Sequence, residues 1–279
     1  MRVVWQLVAV VAVWMIGGQC VAAVDGNPWL TLALGLLTAV LAVAAYRWVV
    51  GRTEHRPVTE LAREGARVSA GRGVLIGVAL FGAVILSIAA SGQYHVNGIG
   101  SVTGAVGLIG FMAAAAVTEE LLFRGVLFRV IEERGGTWIA LTLTGTVFGL
   151  MHLLNPNASL WGAIAIAIEA GGMLGAAYAA TRTLWLPIGV HLGWNFAASG
   201  IFSTEVSGND TPQGLLDSAT SGSHLLTGGD FGPEGSLYAV LFGAMLTTAF
   251  MWLAHRRGHV VPRRSRRVAE AGTATRVPR

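Results

Sequence analysis

Residues 106–131 read VGLIGFMAAAAVTEELLFRGVLFRVI, an apolar run interrupted by two adjacent carboxylates, Glu119 and Glu120. A helix needs about 20 apolar residues to cross a bilayer, and this run is longer than that. Ionisable side chains at bilayer depth are costly to hold and usually mark a working site. The run therefore predicts a membrane-spanning helix that carries function as well as packing.

The rest of the chain has the composition of a membrane protein. Of the 279 residues, 53% are hydrophobic and only 12% are charged, whereas soluble domains carry about 25% charged residues. All the basic residues are arginines, and we interpret the net charge of +4 as membrane orientation and attraction to lipid, with no nucleic-acid partner. The single cysteine, Cys20, excludes a disulfide within the chain.

Eight segments are apolar and long enough to span a bilayer. They are residues 3–23, 28–49, 74–92, about 106–131, 137–154, 159–180, 184–204 and 236–254. They predict an all-α polytopic membrane protein, an eight-helix transmembrane bundle in which the first apolar segment is retained as a span. We divide the chain into three transmembrane helices with a basic loop at 51–73 (residues 1–105), a catalytic core (106–205), and a final part (206–279). This last part holds a loop outside the cytoplasm, the last span and a basic tail.

The connections between these segments alternate in charge. Arginines occur in residues 51–73, in the turns near 132–136 and 181–183, and in the tail. The other connections contain none; they are residues 24–27, 93–105, 155–158 and 205–235. Because arginine-rich connections stay in the cytoplasm, we predict a multi-pass protein of the plasma membrane with both termini cytoplasmic.

Three polar motifs recur at helical spacing: Glu119-Glu120-x-x-x-Arg124, Phe148-x-x-x-His152 and His191-x-x-x-Asn195. At about 1.5 Å per residue, all three reach the middle and outer part of the hydrocarbon core. Glu120 and Arg124 lie one turn apart and can neutralise each other, which leaves Glu119 free to act as a general base. His191 and Asn195 share one helix face, and two donors aimed at one point suit an oxyanion hole.

These motifs predict a site for water activation and attack on a peptide bond. The predicted catalytic residues are Glu119, His152, His191 and Asn195, and the supporting residues are Glu120, Arg124 and Phe148. Two histidines and one glutamate also make a plausible zinc triad. No His-Glu-x-x-His pattern is present and Asn195 is a poor zinc ligand, so we predict a site without metal or cofactor. Glu169 could pair with Arg182 or Tyr178 or line the cavity, and these alternatives stay open.

Together the motifs resemble the CAAX protease and bacteriocin-processing (CPBP) family of intramembrane proteases, which includes the type 2 CAAX prenyl protease. The resemblance covers roughly residues 100–205 and extends to Leu184-Trp185-Leu186-Pro187-Ile188. It implies an eight-helix bundle with a conical cavity open to the cytosol. It also implies that Glu119 and His152 activate the water, and that His191 and Asn195 stabilise the oxyanion.

The resulting hypothesis is an intramembrane endopeptidase of the glutamate type that acts on a peptide or membrane-protein substrate within the lipid bilayer. One alternative is a non-proteolytic bacteriocin-immunity or scaffolding protein on the same fold, since fold does not dictate chemistry. Another is a proton-coupled transporter, because buried glutamates and histidines also serve as proton relays. The lack of a clear inverted repeat in the sequence disfavours the transporter.

Overall fold

The computed structural model describes residues 1–24 and 26–263. Within them, eight long helices run back and forth across the molecule. They are α1 (Arg2–Ala22), α2 (Pro28–Glu54), α3 (Ala66–Ala90), α4 (Val102–Gly135), α5 (Thr137–Met151), α6 (Leu160–Thr181), α7 (Trp185–Asn195, continued by Phe196–Ile201) and α8 (Leu237–Arg256). Residues 264–279 of the predicted basic tail, and Asp25 in the first connection, lie outside the described residues.

The predicted all-α polytopic bundle is confirmed. Among the described helices, seven are long and apolar enough to cross a membrane. The remaining predicted span, 184–204, is the seventh along the chain and corresponds to α7, which is shorter, with 11 residues of α-helix followed by 6 of π-helix. A single turn, His152–Leu154, extends α5, and further short turns are Thr59–Leu61, His224–Thr227, Gly229–Phe231 and Pro233–Gly235.

Helix α3 begins eight residues earlier than the predicted span 74–92, at Ala66. Its added first turns carry Arg67 and Arg72. Hydropathy places a boundary where the arginines begin, yet arginine is a good helix former and its long side chain can reach water from inside a helix. The helix therefore continues beyond the apolar segment that the sequence reveals.

Glycines set the position of α7 within the bundle. A Cβ atom added at Gly73 of α3 would lie 2.5 Å from the Leu186 carbonyl oxygen, and one at Gly193 would lie 2.3 Å from that of Val74. Such close backbone approach is how small residues join helices in lipid. Positions 189 and 193 face α3, so positions 191 and 195, two residues further on, face the opposite way into the bundle.

The two ends of the bundle differ in chemistry. At one end lie all the described arginines except Arg124, and we call it the arginine end. The opposite end carries a two-stranded antiparallel ribbon, β1 (Tyr94–Ile99) paired with β2 (Leu216–Thr220), together with the connections 155–159 and 202–236, and we call it the ribbon end. This separation in space follows the alternation of arginines in the sequence.

A network of buried and partly buried polar side chains connects the helices at the arginine end. Arg129 of α4 donates to both carboxylate oxygens of Glu54 at 2.8 and 2.7 Å. Arg56 does the same to Glu60 at 2.8 Å, and the Tyr46 hydroxyl donates to Glu60 at 2.7 Å. We call these five residues the arginine-end network. Charge-assisted pairs with two hydrogen bonds are the strong ones, so this network fixes α2 against α4.

Candidate active site

One cavity brings the four predicted catalytic residues together. It has a volume of about 340 Å³ and lies among α1, α4, α5, α6 and α7. Glu119, His152, His191 and Asn195 all line it, as does the predicted supporting residue Phe148. Glu120 and Arg124 are fully buried behind the wall. Three helices that are distant in sequence therefore present their polar groups to a single space.

The two adjacent glutamates occupy different environments. The Glu119 side chain is 17% exposed and faces the cavity, whereas the Glu120 side chain is completely buried. Glu120 Oε1 accepts from Arg124 Nη1 at 2.7 Å, as expected from their spacing. Neighbouring residues on a helix point about 100° apart, so one carboxylate reaches the cavity while the other anchors the helix.

Arg124 donates hydrogen bonds to backbone carbonyl groups of α6. Its Nη2 donates to the carbonyl oxygens of Ala170 and Gly171 at 3.1 and 3.2 Å. Both residues lie in a π-helical stretch of α6, where the widened turn frees carbonyl oxygens from the helix ladder. The guanidinium also lies 4.9 Å from the ring centroid of Phe148. The supporting roles predicted for Arg124 and Phe148 thus correspond to direct contacts.

His191 lies between the two glutamates. Its Nδ1 is 3.0 Å from Glu120 Oε1, and its Nε2 is 3.8 Å from Glu119 Oε2. Since a carboxylate can only accept, Nδ1 carries a proton. Nε2 can then donate a hydrogen bond only when the ring is protonated.

His152 approaches the cavity from the end of α5. Its Nδ1 is 2.7 Å from the carbonyl oxygen of Phe148, one turn earlier, and its ring centroid is 4.9 Å from that of Phe148. This leaves Nε2 as the ring nitrogen free for chemistry. Within the described residues, Glu119 forms an ion pair with His191 and none with His152. The predicted partnership of Glu119 and His152 therefore needs a water or substrate between them.

A further carboxylate lines the cavity that the sequence motifs did not indicate. Glu234, in the loop before α8, accepts from Trp194 Nε1 at 2.8 Å and from Ser207 Oγ at 2.7 Å. Burial raises the pKa of Glu234, although the two donors and the nearby His152 oppose that shift. In the sequence, Glu234 is one of several acidic residues in the same loop, and nothing distinguishes it from the others. Only the tertiary structure shows that it lines the cavity.

Glu169 takes none of the roles that the sequence left open. It is fully buried in the π-helical stretch of α6, with its Cα 2.5 Å from where a Cβ at Gly243 would lie. It is not among the residues that line the cavity. Within the described residues, neither of its carboxylate oxygens has a hydrogen-bond partner, so it pairs with neither Arg182 nor Tyr178.

The ligand-type side chains are not arranged for a metal ion. Within residues 1–24 and 26–263, no three His, Cys, Asp or Glu side chains converge closely enough to hold one. One nitrogen of His191 is already turned to Glu120. The reaction proposed for this site therefore uses protein side chains only, and independence of metal stays a prediction.

The cavity opens at the ribbon end. Its exposed lining residues are Gly18, Phe111, Leu154 and Asn209, and each lies in the half of the bundle nearest that end. The arginine-based topology puts this end outside the cytoplasm, whereas the family resemblance implied a cavity open to the cytosol. The two expectations conflict, because the exposed lining residues of the cavity lie at the end whose connections carry no arginine.

Comparison with known proteins finds a family that part of this chain resembles. The model of the Rce1-like type II CAAX prenyl endopeptidases matches residues 101–197. The match covers about a third of the 279-residue chain, and over this part the chain is similar to that family. The resemblance inferred from the three motifs is thereby confirmed, and all three lie within the matched range. The division of the chain at residues 106 and 205 remains a prediction.

A curated relative matches over a wider range of the chain. The Bacillus subtilis (strain 168) protein named "Putative membrane peptidase YdiL" is 29% identical over 150 residues, which cover 49% of this chain and 59% of that protein. The chain thus spans about three fifths of the length of the relative that it matches. No solved structure matches the chain.

Proposed function

We propose that this protein is an intramembrane endopeptidase of the glutamate type, in which Glu119 and His152 activate a water that attacks a peptide carbonyl. Its substrate would be a peptide or a membrane-protein segment, and its site would lie in the plasma membrane. The observation that carries the proposal is the single cavity lined by Glu119, His152, His191 and Asn195 inside an apolar bundle. The similarity to the CAAX protease family and the membrane peptidase name of the relative support it.

The proposed reaction begins with a water held beside Glu119. Its carboxylate takes a proton from the water while the oxygen bonds to the carbonyl carbon. The carbonyl oxygen becomes an oxyanion, which Asn195 Nδ2 and the protonated His191 stabilise by hydrogen bonds. When the tetrahedral intermediate collapses, the carbon–nitrogen bond breaks. The proton on Glu119, passed directly or through His152, then reaches the leaving amine.

The buried pair Glu120 and Arg124 would act by position rather than by chemistry. Glu120 holds Nδ1 of His191 and so orients Nε2 towards Glu119. Arg124 compensates the charge of Glu120 and fixes α4 against the widened turn of α6. A catalytic group held by a second layer of hydrogen bonds loses less entropy when it reacts.

The test is cleavage of a membrane-peptide library by detergent-purified protein, read by mass spectrometry. Wild type would be compared with Glu119→Gln, which keeps the shape of the side chain but removes the base. Glu133→Gln is the matched control, because Glu133 lies on the same helix at the arginine end and its side chain is 43% exposed. We expect Glu119→Gln to lose about 10²–10⁴-fold in rate, and Glu133→Gln to cleave as wild type does.

Each arm should be repeated with a chelator. Activity that persists in its presence supports the proposed reaction. Activity that is lost, and restored by zinc, contradicts a metal-free site. A Glu119→Gln protein that is fully active would eliminate the mechanism altogether.

A further inference from the structure

The route into the cavity is set by side chains at the ribbon end. Its lining there includes Asn155, in the connection after α5, and Ser207, Asn209 and Thr211, in the connection after α7. Asn155 donates to the Ser207 carbonyl oxygen at 2.7 Å, so the two connections are joined at the rim. Both belong to the connections without arginine. Substrate must therefore pass this rim or the neighbouring exposed part of α1.

Charge separates this rim from the arginine end. The loop that follows α7 holds five acidic residues and no basic one: Glu205, Asp210, Asp217, Asp230 and Glu234. At the opposite end lie the arginine-end network, the pair Arg182–Glu132 at 2.5 Å, and Arg257 and Arg263 after α8. Arginine-bearing connections are retained in the cytoplasm, so the rim lies on the other side of the membrane.

The cavity also lacks a fixed positive charge for an anionic substrate group. Two carboxylates, those of Glu119 and Glu234, line it together with two imidazoles, and no arginine belongs to its lining in the part of the chain that the structure describes. Arg124 is buried behind the wall and already bonded to Glu120. The protonated His191 of the proposed reaction lies between Glu119 and Glu120 and is used by the oxyanion. A free carboxylate inside this low-dielectric space would therefore be desolvated beside like charges without a further cationic partner.

From these observations, and resting on the proposed function, we infer that the substrate enters from the extracytoplasmic side and is cut at an internal bond. Its chemical class is a segment of an exported or membrane-anchored protein that is neutral or basic near the cut. A cytoplasmic tail that ends in a free carboxylate close to the scissile bond fits neither the side of the opening nor the charge of the cavity.

The entry side is tested without any need for cleavage. In a Cys20→Ser background, Asn209→Cys puts a reporter thiol on the rim and Arg63→Cys puts one in the exposed loop at the arginine end. Intact bacterial cells would be treated with a membrane-impermeant maleimide. We expect Asn209→Cys to be labelled in intact cells, and Arg63→Cys only after permeabilisation. The reverse pattern overturns the inference.

A second reporter thiol serves as a control in case the Asn209→Cys protein does not fold. Leu225 lies at the ribbon end outside the cavity and is 51% exposed. Leu225→Cys should follow the labelling of Asn209→Cys in intact cells. Labelling of Leu225→Cys only after permeabilisation would place the ribbon end in the cytoplasm and overturn the inference as well.

The substrate class is tested with the best-cut peptide of the library, added to right-side-out vesicles. Two versions would be compared, one with an amidated C-terminus and one with a free carboxylate three residues after the cut. We expect the amidated version to be cut faster, and equal rates or a faster free acid contradict the inference about charge. If the vesicles cut neither version although the detergent-purified protein does, entry from the extracytoplasmic side is overturned. If no peptide of the library is cut at all, the proposed function fails, while the labelling still decides the side of the opening.

Discussion

Helix α4 carries two charge clusters that are built in opposite ways. Near its middle, Glu119, Glu120 and Arg124 meet His191, and we call these four residues the site cluster. One turn further on, Arg129 belongs to the arginine-end network. No buried side-chain atom of that network lacks a hydrogen-bond partner among the described residues, whereas Glu120 Oε2 and Arg124 Nε of the site cluster have none. One cluster is closed on itself and the other faces a cavity.

The two clusters differ in role: polar groups of the arginine-end network stabilise the fold, whereas those of the site cluster are positioned for the proposed reaction. A buried ion pair rarely gains net stability over apolar packing, because removing both charges from water is expensive. A network with every partner in place can still fix the geometry of the helices. In the site cluster, by contrast, Glu119 and His191 line the cavity, where a substrate can reach them. We therefore expect substitutions in the two clusters to affect different measurements.

The largest effect on stability is expected from Arg124→Met. It removes the arginine partner of the buried Glu120 carboxylate and leaves His191 to bond it, so the free energy of unfolding should fall by about 3–5 kcal/mol. Thermal unfolding in detergent measures this loss. The double variant Glu120→Leu, Arg124→Met removes both charges and should regain most of the stability. A double variant as unstable as the single one would show that the pair does more than cancel charge.

The next largest effect concerns catalysis and not folding. Asn195 is 8% exposed and lines the cavity, and its amide is the proposed oxyanion donor. Asn195→Ala should lower the turnover of the best-cut peptide by about 10²–10³-fold. Its unfolding temperature should stay close to that of wild type. A variant that loses stability in proportion to activity would instead mark Asn195 as a packing residue.

Within the arginine-end network, Arg129→Met should reverse this pattern. Glu54 would lose two charge-assisted hydrogen bonds, so stability should fall by about 1.5–3 kcal/mol. Once the variant is folded, its turnover should equal that of wild type. Arg129→Lys keeps the charge but cannot make the bidentate pair of hydrogen bonds to Glu54, so we expect a stability between those of Arg129→Met and wild type. Lost turnover in a well-folded Arg129→Met protein would couple the two clusters and break the comparison.

The smallest effect is a dependence of stability on pH that arises from Glu60. Burial alone would raise the pKa of Glu60, but hydrogen bonds from Arg56 and Tyr46 outweigh it and hold that pKa below the ordinary value of 4.5. Glu60 therefore stabilises the fold above about pH 4.5, and this contribution is lost as the pH falls through its lowered pKa. Unfolding temperatures between pH 7 and pH 3 measure it. Glu60→Gln should flatten this part of the profile, whereas Glu133→Gln should not.

The elements of this fold could be predicted because each depends on local composition. Apolar runs marked the helices, and the alternation of arginines marked the two ends. The boundaries were less secure, as α3 shows, because Arg67 and Arg72 end an apolar run without ending a helix. The predicted end of α7 was also wrong: the helix ends at Ile201, three residues before the predicted residue 204, and Ser203 and Thr204 follow Phe202 there.

The residues of the candidate site could be predicted from the sequence, but the contacts between them could not. Helical spacing brought Glu120 to Arg124 and put His191 and Asn195 on one face. It could not show that His191 contacts both glutamates, because that contact joins residues 71 positions apart. The sequence could not identify Glu234 as a cavity residue for the same reason, since its partners Trp194 and Ser207 lie 40 and 27 positions away.

By itself, the sequence determined that the chain crosses a membrane several times, where its arginines lie, and which polar residues share its apolar helices. These properties follow from composition and from the period of the helix, which act over a few residues. Only the tertiary structure decided that the cavity opens at the ribbon end, that Glu234 joins it, and that Glu169 stands apart. Those outcomes depend on how the helices rotate and pack, and glycine contacts such as that between α3 and α7 fix this rotation across distant parts of the chain.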